Sequence, residues 1–300
     1  MKHHHHHHSH RLEKLSTVYV VAVALNLAFV LVEAAAGLLG RSLGLLSDAG
    51  HNLSDVFSLL LAMLALKLST SHATGRFTYG YRKSSVLISL LNAIILLVAV
   101  GAIVVESVAK IMHPAPVNGL LVSWTAGVGI VINGLTAWAL SHEQQHDINT
   151  RGAFLHMLAD TLVSAGVVVS GIVISLTGWN LVDPIIGLVI AAVILVSTWK
   201  LLAESLRLSV DAVPENIRLE ELVAKMSAVP DVKDVHHVHV WPISTTETAL
   251  TAHVVIDDSS LLESVTDRLK DLLEQEGISH STLELETAAS RCRAHDCSPA

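Results

Sequence analysis

Two His–Asp pairs of identical spacing stand about a hundred residues apart in the chain. His51 and Asp55 lie in Ser47-Asp48-Ala49-Gly50-His51-Asn52-Leu53-Ser54-Asp55, and His156 and Asp160 lie in His156-Met157-Leu158-Ala159-Asp160. Residues four apart on a helix share one face, one turn above the other. Two such helices facing each other offer two imidazoles and two carboxylates, a tetrahedral set suited to Zn²⁺. Two carboxylates neutralise a doubly charged ion, and two nitrogens favour borderline-soft Zn²⁺ over Mn²⁺ or Mg²⁺, which want more oxygens. Neutral imidazole is the metal-binding form and titrates near neutrality, so protons compete for the same atoms. Both pairs sit in long apolar runs, where an ionisable group is costly and marks function.

The elements that must hold these pairs are apolar and long. With 51% hydrophobic and 15% charged residues, the composition is that of a membrane protein. Six stretches, roughly 15–39, 43–68, 84–111, 118–141, 152–178 and 181–204, each approach or exceed the ~20 residues a span needs. No cleavable signal peptide is expected, because the first apolar run is too long and lacks a small-residue cleavage site. Lys67, Arg76, Arg82, Lys83, Arg151, Lys200 and Arg207 gather on one side of these stretches, while the other side holds little beyond Arg41 and Lys110. That bias makes the basic side cytoplasmic and, with an even span count, puts both termini there. On these bounds Asp55 is near mid-span but Asp160 falls several residues short of it. The two pairs then differ in depth by roughly 10 Å at 1.5 Å per residue, unless span five begins before residue 152 or tilts.

Other polar and small residues fit a packed bundle. Asn26 reads as a packing residue with a partner, and Glu33 is left open between packing and a water-filled route. Gly127, Gly129 and Gly134 permit close helix contact. Pro114 and Pro116 break the chain at an outer turn, and Trp179 and Trp199 read as interface anchors. His142 and His146 read as a solvated helix end. The run His3–His8 reads as an expression tag.

After Asp211-Ala212-Val213-Pro214 the composition becomes that of a soluble domain. A helix is expected over 215–228, strands over 232–241 and 249–257, a helix over 261–276 ending at Gly277, and a strand over 280–286. The fold class is therefore a six-span α-helical membrane protein with a cytoplasmic α+β domain of helix-strand-strand-helix-strand order, metallochaperone-like. The division is a His-rich tail at 1–14, a membrane domain at 15–207, the cytoplasmic domain at 208–288 and a tail at 289–300 holding Cys292, His295 and Cys297. Two cysteines are too few for a disulfide scaffold and suit a reducing compartment. A net charge of −8, concentrated after Asp211, argues against nucleic acid.

Taken in order, these motifs resemble the cation diffusion facilitators, and the zinc-transporting branch in particular. The likeness extends to Thr78-Tyr79-Gly80-Tyr81, Thr177-Gly178-Trp179 and Val235-His236-His237-Val238-His239-Val240-Trp241. It implies proton-coupled export of divalent metal, Zn²⁺ with Cd²⁺ and Co²⁺ as further cargoes, by a homodimer in the cell's inner (plasma) membrane, joined through the cytoplasmic domain. It assigns His51, Asp55, His156 and Asp160 to the transport site. His236, His253 and Glu286 match metal-binding positions of the cytoplasmic domain, with His280 as a fourth and Cys292 and Cys297 as weaker thiolate ligands. Metal bound there would be regulatory. By strand alternation His237 and His239 project to one side and His236 to the other, and His239 is expected in the core. His237 stands where the family often has Asp. The stretch Thr74–Tyr81, between spans two and three, lacks the ligands some members carry there, with His72 the one candidate, and Lys83 is expected to pair with an acid at the span-six exit such as Asp211. An enzyme is disfavoured, since the motifs of intramembrane proteases and desaturases are absent. A transporter for Mn²⁺, Fe²⁺, Co²⁺ or Ni²⁺, and a membrane-anchored metal sensor, are the alternatives.

Overall fold

The computed structural model describes residues 6–39, 43–112, 119–145, 147–179 and 181–287. Pro114, Pro116, His146, Cys292, His295 and Cys297 lie outside the described residues, as do the side chains of Glu33, Asp48 and His51. Among the described residues eight α-helices and three strands run in the order α1 (His6–Leu39), α2 (Leu43–Ser69), α3 (Ser84–Met112), α4 (Gly119–Leu140), α5 (Ile148–Thr177), α6 (Val182–Ser209), α7 (Leu219–Ser227), β1 (Val232–Pro242), β2 (Thr248–Ile256), α8 (Leu262–Gln275) and β3 (Ile278–Thr287). They divide into two units, Met1–Ser71 with Ser84–Ser205, and His72–Lys83 with Leu206–Ala300.

The first unit is helical. Tyr19 and Ala22 of α1, Leu59 and Ala62 of α2, Ala137 and Leu140 of α4, and Ala153 and Met157 of α5 form one buried cluster. Val100 of α3, Ala159 of α5, and Ala191 and Ile194 of α6 form another. Helix α5 thus belongs to both clusters, through different faces. Alanines at these contacts let backbones approach closely, which is how helices gain packing energy where no hydrophobic drive separates them from lipid. Gly129 and Gly134 of α4 face Ser164 and Thr161 of α5, whereas Gly127 faces open space. Asn26 is buried and donates to the Ala22 carbonyl (2.9 Å) and to Thr136 Oγ1 (3.4 Å), the packing role expected of it. Valines, leucines and tryptophans such as Val32, Val98, Trp138, Leu176 and Val196 are exposed on the outside. By length and composition two helices among the described residues, Ser84–Met112 and Pro184–Ser209, qualify as membrane-crossing, and Thr17–Val32 and Ala126–Leu140 are shorter apolar helices.

The start of α5 corrects the sequence-based bounds. Asp147 Oδ2 accepts from Thr150 N (3.0 Å) and from Thr150 Oγ1 (2.8 Å), an N-terminal cap that begins the helix at Ile148. The polar first turn Asn149-Thr150-Arg151 had hidden this behind a hydropathy threshold. With α5 spanning 30 residues, Asp160 sits close to its middle, as Asp55 does in the 27-residue α2. The difference in depth falls to roughly 5 Å at 1.5 Å per residue, about half of what the shorter bounds implied, and the side chains bridge it.

In the second unit a three-stranded sheet of order β1-β2-β3 has β1 antiparallel and β3 parallel to β2. One face is covered by α7 and α8: Leu250, Ala252, Val254 and Ile256 pack with Leu222, Met226, Val265, Leu269 and Leu273. Helix α8 stops before Gly277, whose φ of 82° supplies the left-handed residue such an ending favours. The segment from His72 to Lys83 belongs to this unit. Lys83 Nζ donates to Asp211 Oδ1, to the Leu208 carbonyl (2.9 Å) and to the Pro242 carbonyl (3.1 Å), and Arg82 pairs with Glu247. Three acceptors around one ammonium use all three of its protons. The expected Lys83–Asp211 pair is therefore present, and anchored by backbone as well as by charge.

A Cβ added at Gly166 would lie 2.8 Å from both Ile186 Cγ2 and Ile190 Cδ1 of α6, while one at Gly101 meets nothing within 4 Å. Gly166→Ala is therefore expected to destabilise by about 1–3 kcal/mol and Gly101→Ala to be tolerated, read as thermal midpoints of the purified protein in detergent.

Candidate metal centres

Helices α2 and α5 bring Asp55, His156 and Asp160 together. One ligand atom from each lies within 4.8 Å of the others, and all three residues are buried, at 0%, 2% and 9% exposure. His156 Nε2 is 2.8 Å from Asp55 Oδ1 and 3.7 Å from Asp160 Oδ2. The same-helix pair His156–Asp160 has the four-residue spacing read from the sequence, and the cross-helix contact is the one the facing arrangement required. His51 lies one turn before Asp55 in α2, and its side chain is outside the described residues.

These distances have a chemical meaning. Ligands about 2.0–2.1 Å from a tetrahedral ion stand roughly 3.3 Å apart. The 2.8 Å between Nε2 and Oδ1 is a hydrogen bond, and it requires one proton between imidazole and carboxylate. An ion coordinated by both atoms must take the place of that proton. Proton and cation are mutually exclusive at one atom pair. The set is N and O only, with at least two carboxylate groups, which matches a borderline divalent ion in a dry site.

The second cluster lies on the sheet face left uncovered by α7 and α8. His236 of β1 is directly opposite His253 of β2, whose neighbour in β3 is Glu284, and Val255 pairs with Glu286. His253 Nδ1 donates to Glu286 Oε1 (2.8 Å), and His236 Nε2 lies 3.9 Å from Glu286 Oε2. One carboxylate therefore faces two imidazoles, and the three residues form a second group with metal-ligand spacing. Two partners were not read from the sequence. Asp234 Oδ2 accepts from His236 Nδ1 (2.9 Å) and so fixes which nitrogen is left to ligate, and Glu284 Oε2 lies 3.4 Å from His253 Nε2. Their signal was there: Glu284 shares a strand face with Glu286, and Asp234 shares one with His236.

Two expectations are corrected. His280 does not join this cluster. It pairs with Ala249, six residues from Glu286 or about 20 Å along the strand, and its ring packs edge-on against Tyr79. Simple alternation also fails in β1. The register shifts between His236 and His239, where His237 takes a φ of 51°. This bulge adds one residue, so Val235 and Val240, five apart, both reach the core. His239 consequently is exposed on the uncovered face with His236, not packed in the core.

Two family models together match most of the chain. A model described as the cation efflux transmembrane domain matches residues 19–208, and one described as the cation efflux protein cytoplasmic domain matches residues 214–287. The zinc transporter ZitB of Escherichia coli is 34% identical over 305 aligned positions, covering 99% of this chain and 96% of its own length. A cadmium, cobalt and zinc/H(+)-K(+) antiporter of Bacillus subtilis is 30% identical over 277 positions, covering 91% and 89%. The metal cation efflux system protein CzcD of Cupriavidus metallidurans is 33% identical over 270, covering 89% and 85%.

If Asp234 orients His236, then Asp234→Ala should weaken Zn²⁺ binding by the cytoplasmic cluster about 10–100-fold, the usual cost of losing such a support, although no ligand is removed. Competition with a chelating dye on the full chain measures this.

Proposed function

The chain belongs to the cation efflux family, and from that premise we propose that it exports Zn²⁺ from the cytoplasm in exchange for protons, by alternating access. The observation that carries the reading is the buried hydrogen bond between His156 Nε2 and Asp55 Oδ1, where a proton and an ion compete for the same two atoms. Loading from the cytoplasm expels the proton; acid from the opposite side restores it and releases the ion. The names borne by the relatives, a zinc transporter and a cadmium, cobalt and zinc antiporter, support Zn²⁺ with Cd²⁺ and Co²⁺ as cargoes.

In this reading His51 completes the transport site with Asp55, His156 and Asp160. The six long helices of residues 15–207 are membrane spans in the plasma membrane, with both termini cytoplasmic. Residues 208–288 form the cytoplasmic domain, which pairs two copies into a homodimer and whose His236, His253 and Glu286 bind regulatory metal. The matching cytoplasmic-domain model supports that placement. No catalytic role is assigned, because both transport-site carboxylates are used as ligands.

Proteoliposomes loaded with a pH dye test the central step. Zinc uptake should be accompanied by opposite proton movement, and Asp160→Asn should abolish both together; uptake that ignores a pH gradient would refute the exchange. Replacing His51 with Asp exchanges a nitrogen for an oxygen and should move preference from Zn²⁺ toward harder or larger ions such as Mn²⁺ or Cd²⁺. An unchanged ranking of transport rates would remove His51 from the site.

A further inference from the structure

The buried face of α3 changes character partway along the helix. Ser85, Ser89 and Asn92, at 0%, 1% and 1% exposure, follow one another at helical spacing from its start, and Leu96 and Val100 continue the same face as apolar residues. Ser89 Oγ is 2.9 Å from Ser205 Oγ of α6, so those two hydroxyls satisfy each other. Asn92 is different. Neither its Oδ1 nor its Nδ2 has a hydrogen-bond partner among the described residues. An amide taken out of water with both atoms unpaired is costly, and a buried group left in that state calls for an ion, a water or a functional role.

The amide presses on α5 at a glycine. A Cβ built on Gly152 would lie 2.6 Å from Asn92 Nδ2, with Leu201 Cδ2 of α6 at 3.5 Å. A residue without a Cβ is what leaves room for the amide there. Gly152 precedes His156 by four residues, so it lies on the same face of α5, about 6 Å nearer the helix start. A buried polar stripe thus runs from the start of α3 to Asn92, one turn of α5 short of His156, and gives way to apolar side chains beyond.

We propose that Asn92 is a further ion-contacting residue for export. Its Oδ1 meets the incoming divalent cation one turn before Asp55, His156 and Asp160, and replaces part of the hydration shell that the ion sheds. This rests on the reading of those three residues as the transport site, with the start of α5 on the cytoplasmic side. A half-turn of the amide exchanges its two atoms, so the oxygen reaches the place where Nδ2 now stands. A single neutral oxygen suits an entry route, where a contact must be favourable enough to admit the ion and weak enough to pass it on.

The test is the initial rate of Zn²⁺ uptake into proteoliposomes over a range of external Zn²⁺, for the full-length parent, Asn92→Leu and Asn92→Asp. Leucine keeps the size and removes the oxygen, whereas aspartate keeps an oxygen in place. Asn92→Leu should raise KM about 10-fold, the worth of one contact to a charged group. Its maximal rate should stay within about twofold of the parent's, because entry is impeded and the later step is not. Asn92→Asp should restore the parental KM. The thermal midpoint of Asn92→Leu should not fall, since no paired group is lost. Should leucine crowd Gly152 and lower it, Asn92→Ala removes the oxygen without the bulk and carries the same expectation for KM. A parental KM in both Asn92→Leu and Asn92→Ala would overturn the proposal. So would a lower maximal rate at unchanged KM, the mark of a packing residue, or a raised KM that Asn92→Asp leaves in place. A parent that takes up no Zn²⁺ would overturn the transport reading itself, and this proposal with it.

Discussion

The membrane unit turns on one buried contact, the hydrogen bond that joins His156 of α5 to Asp55 of α2. Both partners are removed from water, at 2% and 0% exposure. A charge in such a place is costly unless compensated. A proton shared by the pair supplies that compensation, a cation could supply it instead, and exchanging one for the other changes the net charge between the helices. Helix α5 packs on α1, α2 and α4 through Ala153 and Met157 and on α3 and α6 through Ala159. Whatever opens or closes the Asp55–His156 contact therefore acts on the one helix that belongs to both packing clusters.

The cytoplasmic unit obeys a related economy. Its sheet has one face sealed by α7 and α8 and one left open, and the open face collects imidazoles and carboxylates. Asp234, His236, His253, Glu284 and Glu286 are arranged so that carboxylates fix the nitrogens of the imidazoles. The bulge at His237 reconciles two demands on one strand: valines at 235 and 240 must reach the core, and histidines at 236 and 239 must reach the open face. Residues 72–83 join this unit through Arg82 and Lys83, immediately before α3 begins at Ser84.

Much of this was legible in the sequence because it rests on periodicity. The four-residue spacing of His156 and Asp160, the order of elements after Pro214 and the helix stop at Gly277 all follow from local rules. What escaped did so for physical reasons. A hydropathy threshold cannot see a helix whose first turn is polar, so the cap at Asp147 and the true start of α5 were missed, and with them how near Asp160 lies to the middle of its helix. Strict alternation cannot see an inserted residue, although the odd spacing of Val235 and Val240 was its trace. His280 looked like a ligand by type, but the parallel register of β3 puts it beside Ala249, far from Glu286.

The most direct measurement is the count of protons released when Zn²⁺ binds the full chain, with His3–His8 changed to Ser, in weakly buffered detergent solution. If ion and proton exchange at the pair of Asp55 and His156, binding to the parent releases protons that are absent in Asp55→Asn with His156→Ala. Equal release by both proteins, or tight binding to the parent with no release, would contradict the account.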